Sequence, residues 1–461
     1  MAGHPQETVV ASVVEAQRSF YRSGVTRDPE FRRRALLKLR NAIRANGAAI
    51  EEALLTDLNK SPFEAYMTET GIVLSELSLH LKNIRKWSRP RRVPSPLALQ
   101  PARSYVMPEP YGVVLIMAPW NYPVQLCLNP LIGALAAGNC VVLKPSAYAP
   151  ATSRLIAELL GKIFPREYVA VVEGGREANS ALLEQKFDYI FFTGSVQVGR
   201  VVMRAAAERL TPLTLELGGK SPTIIDATAD VPMAARRIAF GKLLNAGQTC
   251  VAPDYVLISR AKKAEFVEAF RAALVDFSPD GNWDDYPRII SQRHYERLLG
   301  LLENQELLLG GLADPERLMI EPTLLNEPAL DSPVMQEEIF GPILPIISFD
   351  ELDEAIDLVN SRPRPLALYL FTSDRSAETK VLRSCSFGGG CVNDTIMHLA
   401  NPYLPFGGIG DSGLGAYHGK RSFDTFSHER SVLRQSRRID LPVRYRPYKE
   451  KWLRVLKRLM R

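Results

Sequence analysis

The sequence predicts an α/β protein with two consecutive blocks in which apolar strands alternate with helices. In the first block, residues 112–116, 140–143, 169–172 and 188–192 are continuous apolar runs, and stretches with helical spacing separate them. A second alternating block extends from about residue 222 to residue 392. Apolar strands that alternate with helices indicate parallel sheets covered on both faces. Such sheets bind ligands at the carboxyl ends of their strands.

The region before the first block is predicted to be helical. Between residues 9 and 86, apolar side chains recur at helical spacing, as in Leu36, Leu39 and Ile43. Four prolines then interrupt the pattern: Pro90, Pro94, Pro96 and Pro101. Residues 104–107 lie between prolines and are predicted to form a short exposed strand, one limb of a protruding hairpin.

The C-terminal end, residues 449–461, has the pattern of a basic amphipathic helix. Two interpretations stay open. The helix packs on its own protein, or it makes a peripheral contact with a membrane surface.

Length and composition limit the class of protein. A chain of 461 residues suggests two or three domains with a large core. With 46% hydrophobic and 23% charged residues, the chain resembles an ordinary globular protein. The net charge of +6 is mild for this length and suits an enzyme that handles anionic cofactors. No stretch combines dense Lys and Arg with aromatic residues, so we expect no nucleic-acid partner.

The five cysteines are few and widely spaced, without a CxxC pair or a His-rich tract. This pattern supports neither a disulfide framework nor a metal site. The first ten residues lack a basic region followed by an apolar core, so no secretory signal is visible. We therefore expect a cytoplasmic protein with free thiols.

Cys250 is the candidate nucleophile. It ends the loop Asn-Ala-Gly-Gln-Thr-Cys, which follows a helical run at residues 233–244. A single cysteine is more often a small buried hydrophobic residue than a nucleophile. However, a cysteine in a glycine-containing loop at a helix end is accessible to a substrate.

Several polar residues follow predicted strands and are expected at the same edge of a sheet. Glu216 precedes two glycines, where partial burial would raise its pKa and make it a general base. Lys144 and Ser146 offer a cation and a hydroxyl, and Asn121 offers a side-chain amide to a developing oxyanion. Residues 192–199 form a GxxxxG loop between a strand and a helix, where the backbone can approach a pyrophosphate.

Together these motifs resemble the aldehyde dehydrogenase superfamily over nearly the whole chain. The segments that carry the resemblance occur in the family's order: APWNYP, LKPS, FTGS, LELGGK, GQTC, EEIFGP and PFGGIGDSGLG. Residues 60–66, 393–398, 415–420 and 422–428 resemble the class 3 and fatty-aldehyde branch in particular.

The resemblance implies a Rossmann-like cofactor domain, a second α/β catalytic domain and a small β oligomerisation arm. The NAD(P)-binding domain would comprise residues 1–95 and 109–215, and the catalytic domain residues 216–392. Residues 96–108 and 393–461 would form the arm and the C-terminal tail. Members of this branch are typically dimeric, so the resemblance also implies a homodimer.

The resemblance further implies a role for each matching residue. Cys250 would be the nucleophile, Asn121 and the Cys250 backbone N–H would form the oxyanion hole, and Glu216 would be the base for deacylation. Glu338 is an alternative base. The residues implied in cofactor binding are Lys144, Ser146, Gly194, Ser195, Glu338, Phe340 and Trp120.

The implied reaction is the oxidation of an aldehyde to a carboxylic acid by NAD⁺ or NADP⁺, through a thiohemiacetal and a thioester on Cys250. The branch suggests medium or long aliphatic or aromatic aldehydes. Ala147 departs from the family pattern, because many members have a glutamate there that binds the adenosine 2′-OH. Without that anion we expect NADP⁺ to be accepted as well as NAD⁺.

Two rival interpretations remain. A CoA-acylating enzyme would intercept the thioester with another nucleophile, and a binding or structural protein would use the same fold without turnover. The glutamate in LELGGK favours hydrolysis over the first rival. The presence of Cys250, Asn121 and Glu216 together argues against the second.

Overall fold

The computed structural model describes residues 5–281 and 283–460. Residues 1–4 of the expected cofactor domain and the last residue of the expected C-terminal helix lie outside this range. The helices are α1 (Pro5–Arg22), α2 (Pro29–Ala45), α3 (Gly47–Leu58), α4 (Pro62–Ala65), α5 (Gly71–Trp87), α6 (Gln125–Ala137), α7 (Pro150–Ile163), α8 (Arg176–Leu183), α9 (Val196–Ala207), α10 (Val231–Leu243), α11 (Lys263–Phe277), α12 (Gln292–Leu302), α13 (Pro333–Gln336), α14 (Leu352–Asn360), α15 (Arg375–Ser384), α16 (Lys420–Thr425) and α17 (Glu450–Leu459).

The strands form two large sheets and smaller antiparallel ones. They are β1 (Arg91–Val93), β2 (Ala102–Pro110), β3 (Val113–Met117), β4 (Cys140–Lys144), β5 (Val169–Val171), β6 (Tyr189–Thr193), β7 (Leu213–Glu216), β8 (Pro222–Ile225), β9 (Tyr255–Ser259), β10 (Leu307–Leu309), β11 (Ala313–Asp314), β12 (Met319–Ile320), β13 (Thr323–Asn326), β14 (Ile343–Phe349), β15 (Ala367–Phe371), β16 (Gly389–Val392), β17 (Gly413–Leu414) and β18 (Ser427–Gln435).

The first large sheet has the strand order β17-β7-β6-β3-β4-β5. Strands β3 to β7 are parallel, and only the edge strand β17 is antiparallel to its neighbour β7. The central strands β3 and β4 are buried along their whole length. Helices such as α6, which is buried throughout, supply the cover that a parallel sheet needs on its faces. The α/β expectation is confirmed for this block.

The second large sheet has the order β10-β13-β14-β9-β8-β15-β16. It is parallel from β13 to β16, and only β10 at one edge is antiparallel. Because the carboxyl ends of the central strands of each sheet meet at one edge, each sheet offers a row of loops on which a site can be built.

A third sheet, β1-β2-β18, brings together two distant parts of the chain. Strand β2 pairs with β18 from Ala102–Gln435 to Pro110–Ser427 and with β1 on its other side. The expected short strand at residues 104–107 is therefore longer and is the middle strand of a sheet. The pairing of β2 with β18 could not be predicted from the prolines around β2, because the two strands lie more than 300 residues apart in the sequence.

None of the described helices combines the length and the apolar composition that a bilayer crossing requires. The basic helix expected at the C-terminus is α17, and it contacts the short helical turn Leu97–Leu99.

Candidate active site

The first sheet aligns the ends of four strands. Met117 of β3 is level with Lys144 of β4 and with Phe192 of β6, and Thr193 is level with Glu216 of β7. Residues that are far apart in sequence therefore share the carboxyl edge of one sheet. The sequence argument for this edge was correct.

The loop before Cys250 has an unusual backbone. Helix α10 ends at Leu243, and Asn245, Ala246 and Gly247 then have φ angles of 53°, 52° and 73°. Residues other than glycine rarely adopt this left-handed backbone conformation. The loop is therefore strained, and contacts with its surroundings must stabilise it. A Cβ on Gly247 would lie 2.3 Å from the Gly341 carbonyl oxygen, so only glycine fits.

Two contacts hold this strained loop in place. The Asn245 backbone N–H donates to Glu64 Oε1 at 2.8 Å, and the Asn245 side-chain amide donates to the Asn121 carbonyl oxygen at 2.8 Å. Cys250 follows as a free, partly exposed thiol. The loop therefore presents the sulfur to a cavity instead of burying it in the core.

Most of the candidate residues line the same cavity, whose volume is about 220 Å³. Those in this cavity are Cys250, Glu216, Asn121, Trp120, Gly194, Ser195, Glu338 and Phe340. Lys144 and Ser146 instead line a second cavity of about 550 Å³ along the same sheet edge, together with Ala147. The candidates thus divide between two neighbouring cavities.

The two glutamates face the first cavity as poorly solvated carboxyl groups. Burial raises the pKa of Glu216 well above its usual value, and neither of its carboxyl oxygens has a hydrogen-bond partner among the described residues. Burial, and then the nearby Asp254 charge, raise the pKa of Glu338 to about 8, although the Gly219 N–H opposes this rise. Glu338 therefore changes its charge close to neutral pH, whereas burial shifts Glu216 toward its neutral form.

The thiol of Cys250 shares this environment. Burial, followed by the charges of Glu338 and Glu216, raises its pKa to about 12. The backbone N–H groups of Cys250 and Val251 oppose the rise because they hydrogen-bond to the sulfur. In this form of the site, the thiol is protonated at neutral pH and needs a base or a nearby positive charge to react.

Hydrogen bonds of both its side chain and its backbone hold Asn121 in place. Its side-chain amide donates to the Gln248 carbonyl at 3.0 Å, while its carbonyl oxygen Oδ1 is buried and unpaired among the described residues. Its backbone oxygen accepts a hydrogen bond from Lys60 Nζ at 3.0 Å. The amide thus keeps one N–H without a partner among the described residues, and Asn121 lines the same cavity as Cys250.

A buried ion pair, Lys60 with Glu69, fixes the Asn121 loop. The two side chains are completely buried, and Lys60 Nζ lies 2.8 Å from Glu69 Oε1. Glu69 Oε2 also accepts hydrogen bonds from the Val124 and Gln125 N–H groups at 2.9 and 2.8 Å. No role was predicted for Lys60 from the sequence. The only available signal was the motif at residues 60–66, because the contact to Asn121 is visible only in three dimensions.

A third cavity of about 250 Å³ lies on the other side of Cys250. Its wall is mainly apolar and includes Met67, Ile72, Leu126, Phe240, Leu244, Val251, Ile396, Met397, Leu399 and Phe406. Cys250, Leu126, Phe406 and Tyr417 line this cavity and also the first one. Cys250 thus lines both the cavity of the two glutamates at the sheet edge and the apolar cavity.

An aromatic cluster closes one wall of the first cavity. The Trp120 ring lies 5.3 Å from the Phe340 ring in a T-shaped arrangement and 5.3 Å from the His294 ring. Arg297 binds the main chain beside them, because it donates to the Ile339 carbonyl at 2.5 Å. His294 and Arg297 line this cavity although sequence reasoning missed them, since no pattern distinguished them on helix α12.

Comparison with known proteins agrees with this geometry. The sequence model described as "Aldehyde dehydrogenase family" matches residues 2–432. The chain is 49% identical to 4,4'-diaponeurosporen-aldehyde dehydrogenase of Staphylococcus aureus over 94% of this chain and 96% of that protein. It is 48% identical to aldehyde dehydrogenase family 3 member B1 of Bos taurus over 97% of this chain and 96% of that protein. The expected branch is therefore confirmed.

A solved structure has the same fold. It is titled "Substrate bound state of Staphylococcus Aureus AldH", with a TM-score of 0.96, 47% identity, and coverage of 98% of this chain and 99% of that one. The expected fold is confirmed. The chain belongs to the aldehyde dehydrogenase family and is an NAD(P)-dependent enzyme that oxidises aldehydes to carboxylic acids.

Proposed function

We propose that Cys250 is the nucleophile of this oxidation. The observation that carries the proposal is that Cys250 lines both the cavity of the two glutamates and the apolar cavity. An aldehyde whose chain fills the apolar cavity would bring its carbonyl carbon to the sulfur. Attack forms a thiohemiacetal on Cys250, loss of hydride converts it into a thioester, and water releases the acid.

Asn121 and the Cys250 backbone N–H would stabilise the oxyanion of the thiohemiacetal. Both groups lie at the cavity, and the Lys60–Glu69 ion pair holds the Asn121 main chain against movement. Donors fixed before the reaction do not have to reorganise as the charge develops.

Glu338 is favoured over Glu216 as the base that activates water for thioester hydrolysis. A general base works best when its pKa is close to the working pH, and the Glu338 pKa of about 8 meets this condition. Burial raises the pKa of Glu216 well above its usual value and so favours its neutral form. Glu216 would then orient water, or donate a proton, at the same thioester.

The residues of the sheet edge fit a dinucleotide. Glu338 Oε1 and Thr193 Oγ1 are buried without partners among the described residues and can bind ribose hydroxyls. Ser195 caps helix α9, whose first N–H groups face the edge where a pyrophosphate would bind. Gly194 and Ser195 would hold the phosphates, Glu338, Phe340 and Trp120 the nicotinamide end, and Lys144 with Ser146 the adenosine end. The bound cofactor would supply the hydride acceptor.

The apolar cavity supports a hydrophobic aldehyde as substrate. Its wall contains aliphatic and aromatic side chains, and an adjoining cavity of about 320 Å³ continues along Met67, Ile72, Leu399 and His418. A medium or long aliphatic or aromatic chain would lose contact with water along this path.

The domain division expected from the sequence is part of the proposal. Residues 1–95 and 109–215 would bind the cofactor, and residues 216–392 would carry the nucleophile. Residues 96–108 and 393–461 would form the arm. Strand β18 lies at an edge of the arm sheet, and Leu433 on it is 48% exposed, which suits pairing with a second copy. Light scattering should therefore give the mass of a homodimer.

A product assay tests the proposed reaction. The purified chain, mixed with a panel of aldehydes and NAD⁺ or NADP⁺, should form the free acid and reduced cofactor without CoA. Cys250→Ala should bind the cofactor and form no product. Product that forms only with CoA, or turnover by Cys250→Ala, would contradict the proposal.

A further inference from the structure

The cavity of about 320 Å³ that adjoins the apolar cavity has a partly polar wall. Its polar residues include Glu76 of helix α5, Asn129 of helix α6 and His418. Each of these three residues is no more than 6% exposed. His418 also lines the apolar cavity, so the aliphatic chain of a substrate that fills the apolar cavity can extend toward these buried polar groups.

The packing of α6 against α16 brings Asn129 and His418 to the same cavity. A Cβ on Gly133 would lie 2.8 Å from the Ser422 Cβ, so the two helices approach closely because residue 133 is glycine. Asn129 lies one turn before Gly133 on α6. The His418 N–H donates to Ser422 Oγ at 2.9 Å. One helix contact therefore fixes the positions of both residues.

Asn129 and His418 both offer a hydrogen-bond acceptor. Asn129 Oδ1 and His418 Nε2 are buried and have no partner among the described residues. Burial lowers the pKa of His418 to about 4, although the Glu76 charge and a hydrogen bond to the Leu399 backbone oppose this shift. The ring is therefore neutral near pH 7. Since Nε2 is unpaired, the bond to Leu399 comes from Nδ1–H, which leaves Nε2 as an acceptor.

Glu76 gives this wall a negative charge. Burial opposes its ionisation, but its hydrogen bonds with the His80 ring and the Gly419 N–H lower its pKa below the usual value. Among the described residues, no lysine or arginine lines this cavity. The wall therefore disfavours a carboxylate. Because Glu76 already has two hydrogen-bond partners, a neutral donor fits better than a cation that would have to leave water.

We propose that Asn129 and His418 form a subsite for a hydroxyl group of the substrate, so that the enzyme favours aldehydes with a hydroxyl at the opposite end of an aliphatic chain. A hydroxyl donates to one of the two acceptors, whereas a terminal methyl group leaves both without a partner. The inference rests on the proposed binding of the aldehyde in the apolar cavity, and it adds a polar group to the substrate.

Paired substrates of equal size test the subsite. Alkanals with a terminal hydroxyl are compared with unsubstituted alkanals that have the same number of non-hydrogen atoms, over a series of chain lengths. The ratio of kcat/KM for the hydroxyalkanal to that for the alkanal should pass through a maximum above one, because only one length brings the hydroxyl to the acceptors. At that length, the aldehyde with a terminal carboxylate should be the poorest substrate.

Three variants locate the subsite. Asn129→Leu replaces the amide with an apolar side chain of similar size and should lower the maximum of this ratio by about 5- to 100-fold. His418→Asn should lower it too, since it removes Nε2, and asparagine tolerates the φ of 80° at this position. Met67→Leu is the matched control, because Met67 lines both cavities without a polar group, and it should leave the ratio within about twofold.

The outcomes separate this inference from the proposed function. The inference alone is overturned if alkanals are oxidised but the ratio is the same at every chain length, or if Asn129→Leu and His418→Asn leave it unchanged. A preference for the terminal carboxylate would overturn it as well. If none of these aldehydes is oxidised, the proposed hydrophobic substrate and this inference fail together.

Discussion

At the scale of single residues, the site places two carboxyl groups and a thiol in a poorly solvated space. Burial raises the pKa of each of the three groups and so favours its neutral form. This arrangement costs folding stability, because buried polar atoms without partners lose their hydration. Such a cost is expected where a chain keeps reactive groups unpaired for a substrate.

Glu338 should set the pH dependence of thioester hydrolysis. Its pKa of about 8 means that the carboxylate is mostly protonated at neutral pH, so the hydrolysis rate should rise with pH and level off above about 8. Glu338→Gln should remove this limb and slow hydrolysis by about 10²- to 10⁴-fold. Single-turnover kinetics at a series of pH values measure the rate of thioester hydrolysis. Glu216→Gln is the matched variant. If the rise of the hydrolysis rate with pH persists in Glu338→Gln and disappears in Glu216→Gln, the base is Glu216.

Glu216 should reduce stability at neutral pH. Its unfolded pKa is near the usual 4.5 and its folded pKa is well above it, so ionisation favours the unfolded chain as pH rises beyond 4.5. Glu216→Gln should therefore raise Tm near pH 7, by about 2–4 °C for each kcal/mol gained in the free energy of unfolding. This gain should disappear as the pH falls toward 4.5. Thermal unfolding measures the difference. The exposed Glu167→Gln is the control, and an equal gain at both pH values would contradict the burial argument.

At the scale of elements, the sequence predicted individual strands and helices better than their partners. Strands β3, β4 and β6 and helix α7 are recognisable because each carries its own periodicity. The pairing of β2 with β18 and of β17 with β7 is not visible in this way, since these contacts join segments hundreds of residues apart. The same reason hid the contact of Lys60 with Asn121.

Helix α17 has its charges and its apolar side chains on different faces. Lys451, Arg454, Lys457 and Arg458 are exposed, while Trp452 and Leu456 are half-buried and Leu453 is 50% exposed. The peripheral membrane contact considered from the sequence stays a proposal. This segregation, beside the exposed Leu97, supports binding to an anionic surface.

Vesicle binding tests this helix. The chain should co-sediment with vesicles rich in phosphatidylglycerol and not with pure phosphatidylcholine, and added salt should weaken binding. Arg454→Gln should lower the partition coefficient by about fivefold, since one basic side chain contributes about 1 kcal/mol. Lys38→Gln on α2 should have no effect. Absence of binding to either vesicle type would favour packing on the protein itself, and equal binding to both would contradict the role of the basic side chains.

At the scale of the whole molecule, loops that follow strands of the two large sheets line the cavities beside Cys250. The general position of the site was predictable because strand ends in such sheets converge. The strained backbone at residues 245–247 and the division of the site into separate cavities were not predictable. They depend on packing between loops that are distant in sequence, such as the close approach of Gly247 to Gly341.

The most direct test of the account is the identity of the acylated residue. After rapid quenching of the enzyme with a hydrophobic aldehyde and cofactor, mass spectrometry should find the acyl mass on the peptide that contains Cys250. Glu338→Gln should increase its amount, because hydrolysis of the thioester is slowed. An acyl group on another residue, or normal turnover in Cys250→Ala, would contradict the central claim.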